Sequence, residues 1–257
     1  MLIFKRFLVF SLPLLIFLSF FWLFFQPQWY YYLFLLNILI IIFNLWYLIG
    51  RKTILNDFLN FLFTPLFFIS GSFILYTFLE NSLIKTILLF LIPIAVFIFY
   101  NKIFFEFYKK PIWQLKSFKY LIYYFQLFSL WFLASSFFGL IIFINFSAVI
   151  ASGLLLIFLI IFFNQFSWSE ELSQEEKAWL TFLIFLVTFL ESIIILNLLP
   201  LSFYFKGLIL TVVYYLFCQG FLLTKQSSLG VAKYFINKFF IIILIIFLTW
   251  LFSNYIF

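Results

Sequence analysis

The residue with the clearest capacity for chemistry in this sequence is one glutamate, Glu191, in the run LVTFLESIIILNLLP. Most of that run is apolar enough to lie in the hydrocarbon layer of a membrane. An ionised side chain there costs about 2.5 kcal/mol or more on insertion scales. We therefore expect Glu191 to be a neutral acid that hydrogen-bonds to neighbours, or an ionised acid that faces water.

The next apolar run supplies candidate partners for this carboxyl group. It carries three polar side chains spaced four residues apart: Thr211, Tyr215 and Gln219. Such spacing places them on one face of a helix, and Thr188 lies one turn before Glu191 on the preceding run. The connection from Pro200 to Lys206 is short, so the two runs should be antiparallel, with Glu191 and Tyr215 at similar depth. A functional and a purely structural role for this polar site are equally compatible with the pattern.

A secondary polar face occurs in the second apolar run. Its members recur at intervals of seven and then three residues: Tyr30, Asn37, Asn44 and Tyr47. A face of this kind is expected to contact protein or water instead of lipid. Hydrogen bonding between helices explains it as well as a polar pathway does.

Several kinds of catalytic and metal site are excluded by the composition. The chain has no histidine, and its single aspartate is Asp57, so histidine-based catalysis and paired-aspartate metal sites cannot form. Its single cysteine, Cys218, is expected to be a small buried apolar residue. No phosphate-binding glycine motif is present. The sequence predicts no catalytic residue, no metal and no cofactor.

Four glutamates in one loop could suggest a metal site: Glu170, Glu171, Glu175 and Glu176. However, Ser173 and Glu176 have the spacing of a helix-capping box. Acidic residues also stabilise the positive end of a helix dipole. We interpret the loop as a solvated helix start.

The overall composition predicts an all-α, polytopic integral membrane protein. Apolar residues make up 68% of the chain and charged residues 9%, and the mean hydropathy is +1.26. A helix needs about 20 apolar residues to cross the bilayer. We expect a single transmembrane domain over residues 1–257, with nine spans near 7–25, 29–49, 58–79, 84–100, 120–144, 147–163, 176–199, 207–224 and 239–256. Lys5 and Arg6 precede the first span without a small-residue cleavage site, so this span should be an uncleaved helix.

The basic residues predict the orientation of these spans. With nine spans, every lysine and arginine falls on one side except Lys85 and Lys206. Because basic residues are retained in the cytoplasm, the N-terminus should be cytoplasmic and the C-terminus outside, in the cytoplasmic membrane. The positive charge is spread over several loops, so it does not indicate a nucleic-acid-binding surface.

One predicted cytoplasmic loop, Asn101 to Tyr120, is suited to contact lipid headgroups. Its candidate contact residues are Lys109, Lys110, Trp113, Lys116 and Lys119. Basic residues with an interfacial tryptophan favour anionic lipid. The alternative is a loop whose charges only set the topology.

Small residues and prolines within the spans bear on helix packing. Ser135 and Gly139 in the fifth span, with similar pairs in the sixth, have a spacing that allows close approach, and we expect the fifth and sixth helices to use it. Pro65 and Pro93 lie within the third and fourth spans, where a proline either breaks the helix, as in transporter sites, or only kinks it, which is the commoner case.

Two hypotheses for function follow. The first is a small carrier or permease in which Glu191 and the polar faces of the second, third and eighth spans line a route for a proton-coupled or cationic solute. The alternative is a non-catalytic membrane subunit, or a scaffold that organises the envelope, with a membrane-protein partner. A lipid-modifying enzyme is least favoured, because the only arginines, Arg6 and Arg51, lie at helix ends.

Overall fold

The computed structural model describes residues 2–49, 55–108, 115–169 and 179–224. These residues form long helices. The helices are α1 (Leu2–Phe25), α2 (Tyr30–Ile49), α3 (Leu55–Phe78), α4 (Ser82–Tyr108), α5 (Leu115–Ile144), α6 (Ala148–Ser169), α7 (Trp179–Leu198) and α8 (Phe203–Thr224).

The all-helical prediction is confirmed for this part of the chain, which contains no strand. Within the described residues, seven helices are long and apolar enough to cross a membrane, and α7 contributes a shorter apolar stretch, Phe182–Leu198. Each of the first eight predicted spans overlaps one helix. The predicted ninth span, 239–256, lies outside the described residues. The chain thus has the helices of a multi-pass membrane protein.

Helix α5 lies at the centre of the bundle, between α3 and α8. The hydroxyl of Ser129 donates to the carbonyl of Thr64 over 3.4 Å, and seven residues later Ser136 donates to Gly71 over 2.9 Å. Because both contacts advance together along the two helices, α3 and α5 run parallel. Two odd-numbered helices must run parallel if successive helices cross in alternate directions.

The predicted use of the small residues in α5 was wrong. The hydroxyl of Ser135 lies against Gly207 of α8, and Gly139 lies against the ring of Phe78 in α3. Neither small residue mediates an approach to α6. In a bundle of this size α5 has several neighbours, and spacing alone does not identify which one meets the small face.

The prolines do not break their helices. Both α3 and α4 continue through Pro65 and Pro93, and α1 continues through Pro13. A proline removes one hydrogen bond, and neighbouring helices can compensate for this within a bundle.

The predicted division of the long apolar stretch 120–163 at Asn145 is confirmed. Asn145 has a φ of 53°, the left-handed conformation that ends many helices and that asparagine tolerates. The amide of Phe146 donates to the carbonyl of Leu140 over 3.2 Å, which closes the last turn of α5. Helix α6 begins three residues later, so the two helices form a tight hairpin.

Candidate functional site

Glu191 lies on the outer face of α7. The buried face of this helix is formed by Phe185, Phe189, Ile193 and Leu196. Glu191 is two positions from both Phe189 and Ile193, which is about 200° around an α-helix. The carboxylate is accordingly exposed, and it has no hydrogen-bond partner among the described residues. The expected bond from Glu191 to the polar stripe of α8 is not formed.

The predicted pairing of α7 with α8 is nevertheless observed. The ring of Phe189 lies 6.1 Å from that of Tyr214 and 6.0 Å from that of Phe217. Phe185 lies 5.3 Å from Phe217, so the helices are antiparallel. Tyr214 faces α7, where Tyr215 was expected. Neighbouring residues of a helix point about 100° apart, so a shift of one position redirects the whole stripe.

The stripe on α8 faces other parts of the bundle. The hydroxyl of Thr211 donates to the Gly207 carbonyl in its own helix over 2.9 Å. The ring of Tyr215 lies 6.3 Å from that of Tyr123 on α5. Gln219 is half-buried near the end of α8. Thr188 on α7 is also half-buried, and its carbonyl accepts a bond from Ser192. The structure thus does not bring these residues to Glu191.

The secondary polar face of α2 lies in the groove between α1 and α3. Asn37 is buried and exchanges hydrogen bonds with Ser19 of α1 at 2.9 and 3.1 Å. The ring of Tyr30 packs at a tilt against that of Phe73 in α3, with 5.2 Å between ring centroids.

The other two members of this face form no polar contact with α3. Asn44 is buried, and its amide nitrogen donates to the Ile40 carbonyl over 2.8 Å. Tyr47 is exposed and contacts Phe4 and Lys5 at the start of α1. Together the four residues form interhelical and local contacts.

The proposed headgroup loop falls largely outside the described residues. Lys109, Lys110 and Trp113 lie in the range 109–114, which the structure does not describe. Lys116 and Lys119 lie on the first turns of α5, where side chains are described only from Tyr120 onward. The four loop glutamates, 170, 171, 175 and 176, are also outside the described part. Among the described residues no group of three potential metal ligands occurs.

Sequence reasoning missed a buried amide cluster between α3, α5 and α6. The amide nitrogen of Gln126 donates to the side-chain oxygen of Gln165 over 3.3 Å, and that of Gln165 donates to the Asn60 carbonyl over 3.2 Å. Thr64 donates to the same carbonyl. The two glutamines are fully buried. Each glutamine is a lone polar residue in an apolar stretch, and this pattern could have indicated a buried contact. However, the predicted sixth span ended at residue 163, so Gln165 was placed outside it.

A second missed feature is Lys206, in the first turn of α8. Its side chain is only 7% exposed. Its ammonium group lies 5.9 Å from the ring centroid of Phe138 on α5. Sequence reasoning used this lysine only to set the topology.

Comparison with protein-family models, with curated proteins and with solved structures finds no match. The assignment to the multi-pass membrane proteins therefore rests on the length and apolar composition of the described helices.

Proposed function

We propose that this protein is a non-catalytic subunit of a membrane complex, and that the outer face of α7 binds a transmembrane helix of a partner protein. The observation that carries the proposal is the outward position of Glu191. The carboxylate is surrounded by exposed apolar side chains of the same face: Val187, Leu190, Ile194 and Ile195. Lipid alone would leave this group without a donor.

The depth of Glu191 determines which partner fits. Glu191 precedes the end of α7 at Leu198 by seven residues, which is about 10 Å along the helix axis. A carboxylate at that depth lies in a hydrocarbon layer about 30 Å thick. A basic side chain on a partner helix would supply both a counter-charge and hydrogen-bond donors. The partner in this proposal is therefore a transmembrane helix with an intramembrane lysine or arginine.

The proposal includes the arrangement in the membrane. We propose nine spans in the cytoplasmic membrane, a cytoplasmic N-terminus and an external C-terminus. In support, Lys5, Arg6 and Lys102 lie toward the end of the bundle where α1 begins and α4 ends, and Lys85 and Lys206 lie toward the other end. The loop residues Lys109, Lys110, Trp113, Lys116 and Lys119 would then lie beside anionic headgroups.

The carrier hypothesis has less support from the geometry. It required Glu191 to line an internal route, whereas Glu191 is on the outside of the described bundle. Two pairs of buried polar side chains bond across helix contacts, Asn37 with Ser19 and Gln126 with Gln165. These contacts support a role of internal polar groups in bundle packing.

A charge-exchange experiment tests the proposal. The tagged protein is purified from its own membranes in a mild detergent, and basic residues within the transmembrane helices of co-purifying proteins are identified. We expect Glu191→Lys to lose the partner, and the opposite exchange, to glutamate, on the partner helix to restore it. Glu80→Gln, which alters an exposed carboxylate at a helix end, is the matched control and should retain the partner.

Two results would contradict the proposal. The first is that the Glu191→Lys and Glu191→Leu variants still co-purify with every membrane protein that wild type binds. This result would show that the carboxylate has no role in assembly. Purified protein in liposomes could instead transport a solute in a manner lost in Glu191→Gln, which would support the carrier.

A further inference from the structure

We propose that the outer face of α8 is the docking surface for the predicted ninth span, residues 239–256, which packs on it as an antiparallel helix. The outer face is formed by Phe205, Val212 and Leu216. Each of the three is flanked by buried residues two positions before and two positions after it, and two positions are about 200° around an α-helix. The three side chains therefore point away from the centre of the bundle.

The described helices contact α8 on its inner side. The hydroxyl of Ser135 in α5 lies against Gly207. The hydroxyl of Tyr214 donates to the carbonyl of Phe162 in α6 over 2.9 Å, and its ring lies 6.1 Å from that of Phe189 in α7. None of the three residues of the outer face packs against the buried core of the described residues. Contact with this core therefore does not account for the burial of the outer face.

The outer face of α8 is nevertheless covered. Its three residues are half-buried, and no side chain of α8 from Phe203 to Gly220 is exposed. The outer face of the neighbouring helix α7 differs, because Val187 is 48% exposed and Ile194 is 51% exposed. Since α7 and α8 pack side by side, this difference indicates a further segment that lies over α8 and leaves α7 uncovered.

The depth of the covered face excludes the loops between helices as this segment. Val212 lies twelve residues before the end of α8 at Thr224, which is about 18 Å along the helix axis. The segments 50–54, 109–114 and 170–178 each join the ends of two helices. Irregular chain that faces lipid does not occur at such depth, because its backbone groups would have no hydrogen-bond partners.

Residues 225–257 follow α8 directly and contain a segment of the required length. As a helix, the apolar stretch 239–256 would extend about 27 Å, which is close to the thickness of the hydrocarbon layer. Residues 225–238 are sufficient for the chain to reverse its direction, and consecutive elements are usually adjacent in space. The inference does not depend on the partner proposed for α7, whose outer face remains exposed.

Cysteine cross-linking within one full-length chain tests the inference. If Thr224 and Phe239 lie at the same membrane surface, Phe247 lies at the depth of Leu216, since each is eight residues from that surface. Leu216→Cys is therefore combined with a cysteine at each of residues 246–249 in turn, which covers one helical turn. We expect at least one of these four pairs to form a disulfide within the chain.

The measurement requires a background without the native cysteine and a way to detect the link. Cys218→Ala removes the native thiol, and a protease site inserted after Gly230 separates the two helices after cleavage. Copper phenanthroline serves as the oxidant. An intramolecular disulfide then holds the two fragments together on a non-reducing gel.

Val187→Cys is the matched control. Val187 lies on the outer face of α7, eight residues after the start of this helix at Trp179, and so at the depth of Leu216. Combined with the same four positions, it should form no disulfide. The inference is overturned if no Leu216 pair is linked, if the Val187 pairs are linked equally well, or if the disulfides join two chains.

A second measurement keeps Cys218 and does not depend on the folding of the Cys218→Ala chain. A photoreactive residue is placed at Val212, and the cross-linked peptides are identified by mass spectrometry. We expect a product with residues 239–256 of the same chain. A product only with lipid, with a second copy of the chain or with another membrane protein would overturn the inference.

Discussion

A β-carbon added to Gly71 of α3 would lie 2.7 Å from the backbone nitrogen of Leu133 in α5. The two helix backbones are therefore in close contact at this point, and Ser136 bonds to the Gly71 carbonyl beside it. The parallel α3–α5 pair forms the centre on which the outer helices pack.

This contact predicts that Gly71→Ala destabilises the protein, because the two helices must separate. We expect a loss of about 1–3 kcal/mol in the free energy of unfolding. Gly153→Ala is the control, since a β-carbon there meets nothing within 4 Å. Thermal unfolding in detergent would measure both variants. Equal effects of the two substitutions would refute the close packing at Gly71.

The Gln126–Gln165 bond predicts a measurable coupling between α5 and α6. Hydrogen bonds inside membrane proteins average about 0.6 kcal/mol in double-mutant cycles and reach about 1.7. We expect the Gln126→Leu, Gln165→Leu double variant to be less destabilised than the sum of the single variants. Asn37→Leu, combined with Gln126→Leu, should be additive, because Asn37 bonds to Ser19 on α1. Additivity in the glutamine cycle would show that the two side chains act independently.

Tyr108 of α4 links α1 and α2 through hydrogen bonds at the end of the bundle where α1 begins. Its hydroxyl accepts from the Lys5 ammonium and donates to the Leu48 carbonyl, both at 2.5 Å. Tyr108→Phe should lower the free energy of unfolding by about 1–3 kcal/mol, since one of the two bonds involves a charged group. Tyr47→Phe keeps the ring contact with Phe4 and should change it by less than about 0.5 kcal/mol. Chemical unfolding of both variants tests this difference.

The distribution of basic residues predicts the topology. Reporter fusions after Lys52, Lys119, Lys177 and Lys238 should report the cytoplasm. Fusions after Pro27, Lys85, Asn145 and Lys206 should report the exterior. A reversal at an interior loop would mean that the division into nine spans is wrong at that loop.

The existence of the first eight helices was predictable because length and hydrophobicity specify a span. The direction in which Glu191 points was not. Helix α7 is apolar on every side, so Val187 on its outer face and Phe189 on its inner face give no contrast between lipid and protein. The packing of α7 against α6 and α8, through Phe185 and Phe189, determines the rotation of the helix.

The amide cluster shows a second limit of sequence reasoning. Gln126 was visible as a polar residue in an apolar run, but its partner depends on a contact 39 positions away. Gln165 lay beyond the predicted end of its span, whereas α6 continues to Ser169. Hydrophobicity locates the apolar part of a helix and does not show how far the helix continues beyond it.

The central claim, that the outer face of α7 binds a partner helix through Glu191, is tested most directly by photo-cross-linking in native membranes. A photoreactive residue is placed at Val187, Leu190 or Ile194 on the outer face, and at Phe189 on the inner face as the control. We predict that the outer positions cross-link to one membrane protein, within a helix that carries a lysine or arginine, and that Glu191→Leu removes the product. The claim is contradicted if the outer positions cross-link only to lipid, to a second copy of the chain, or to residues 225–257 of the same chain.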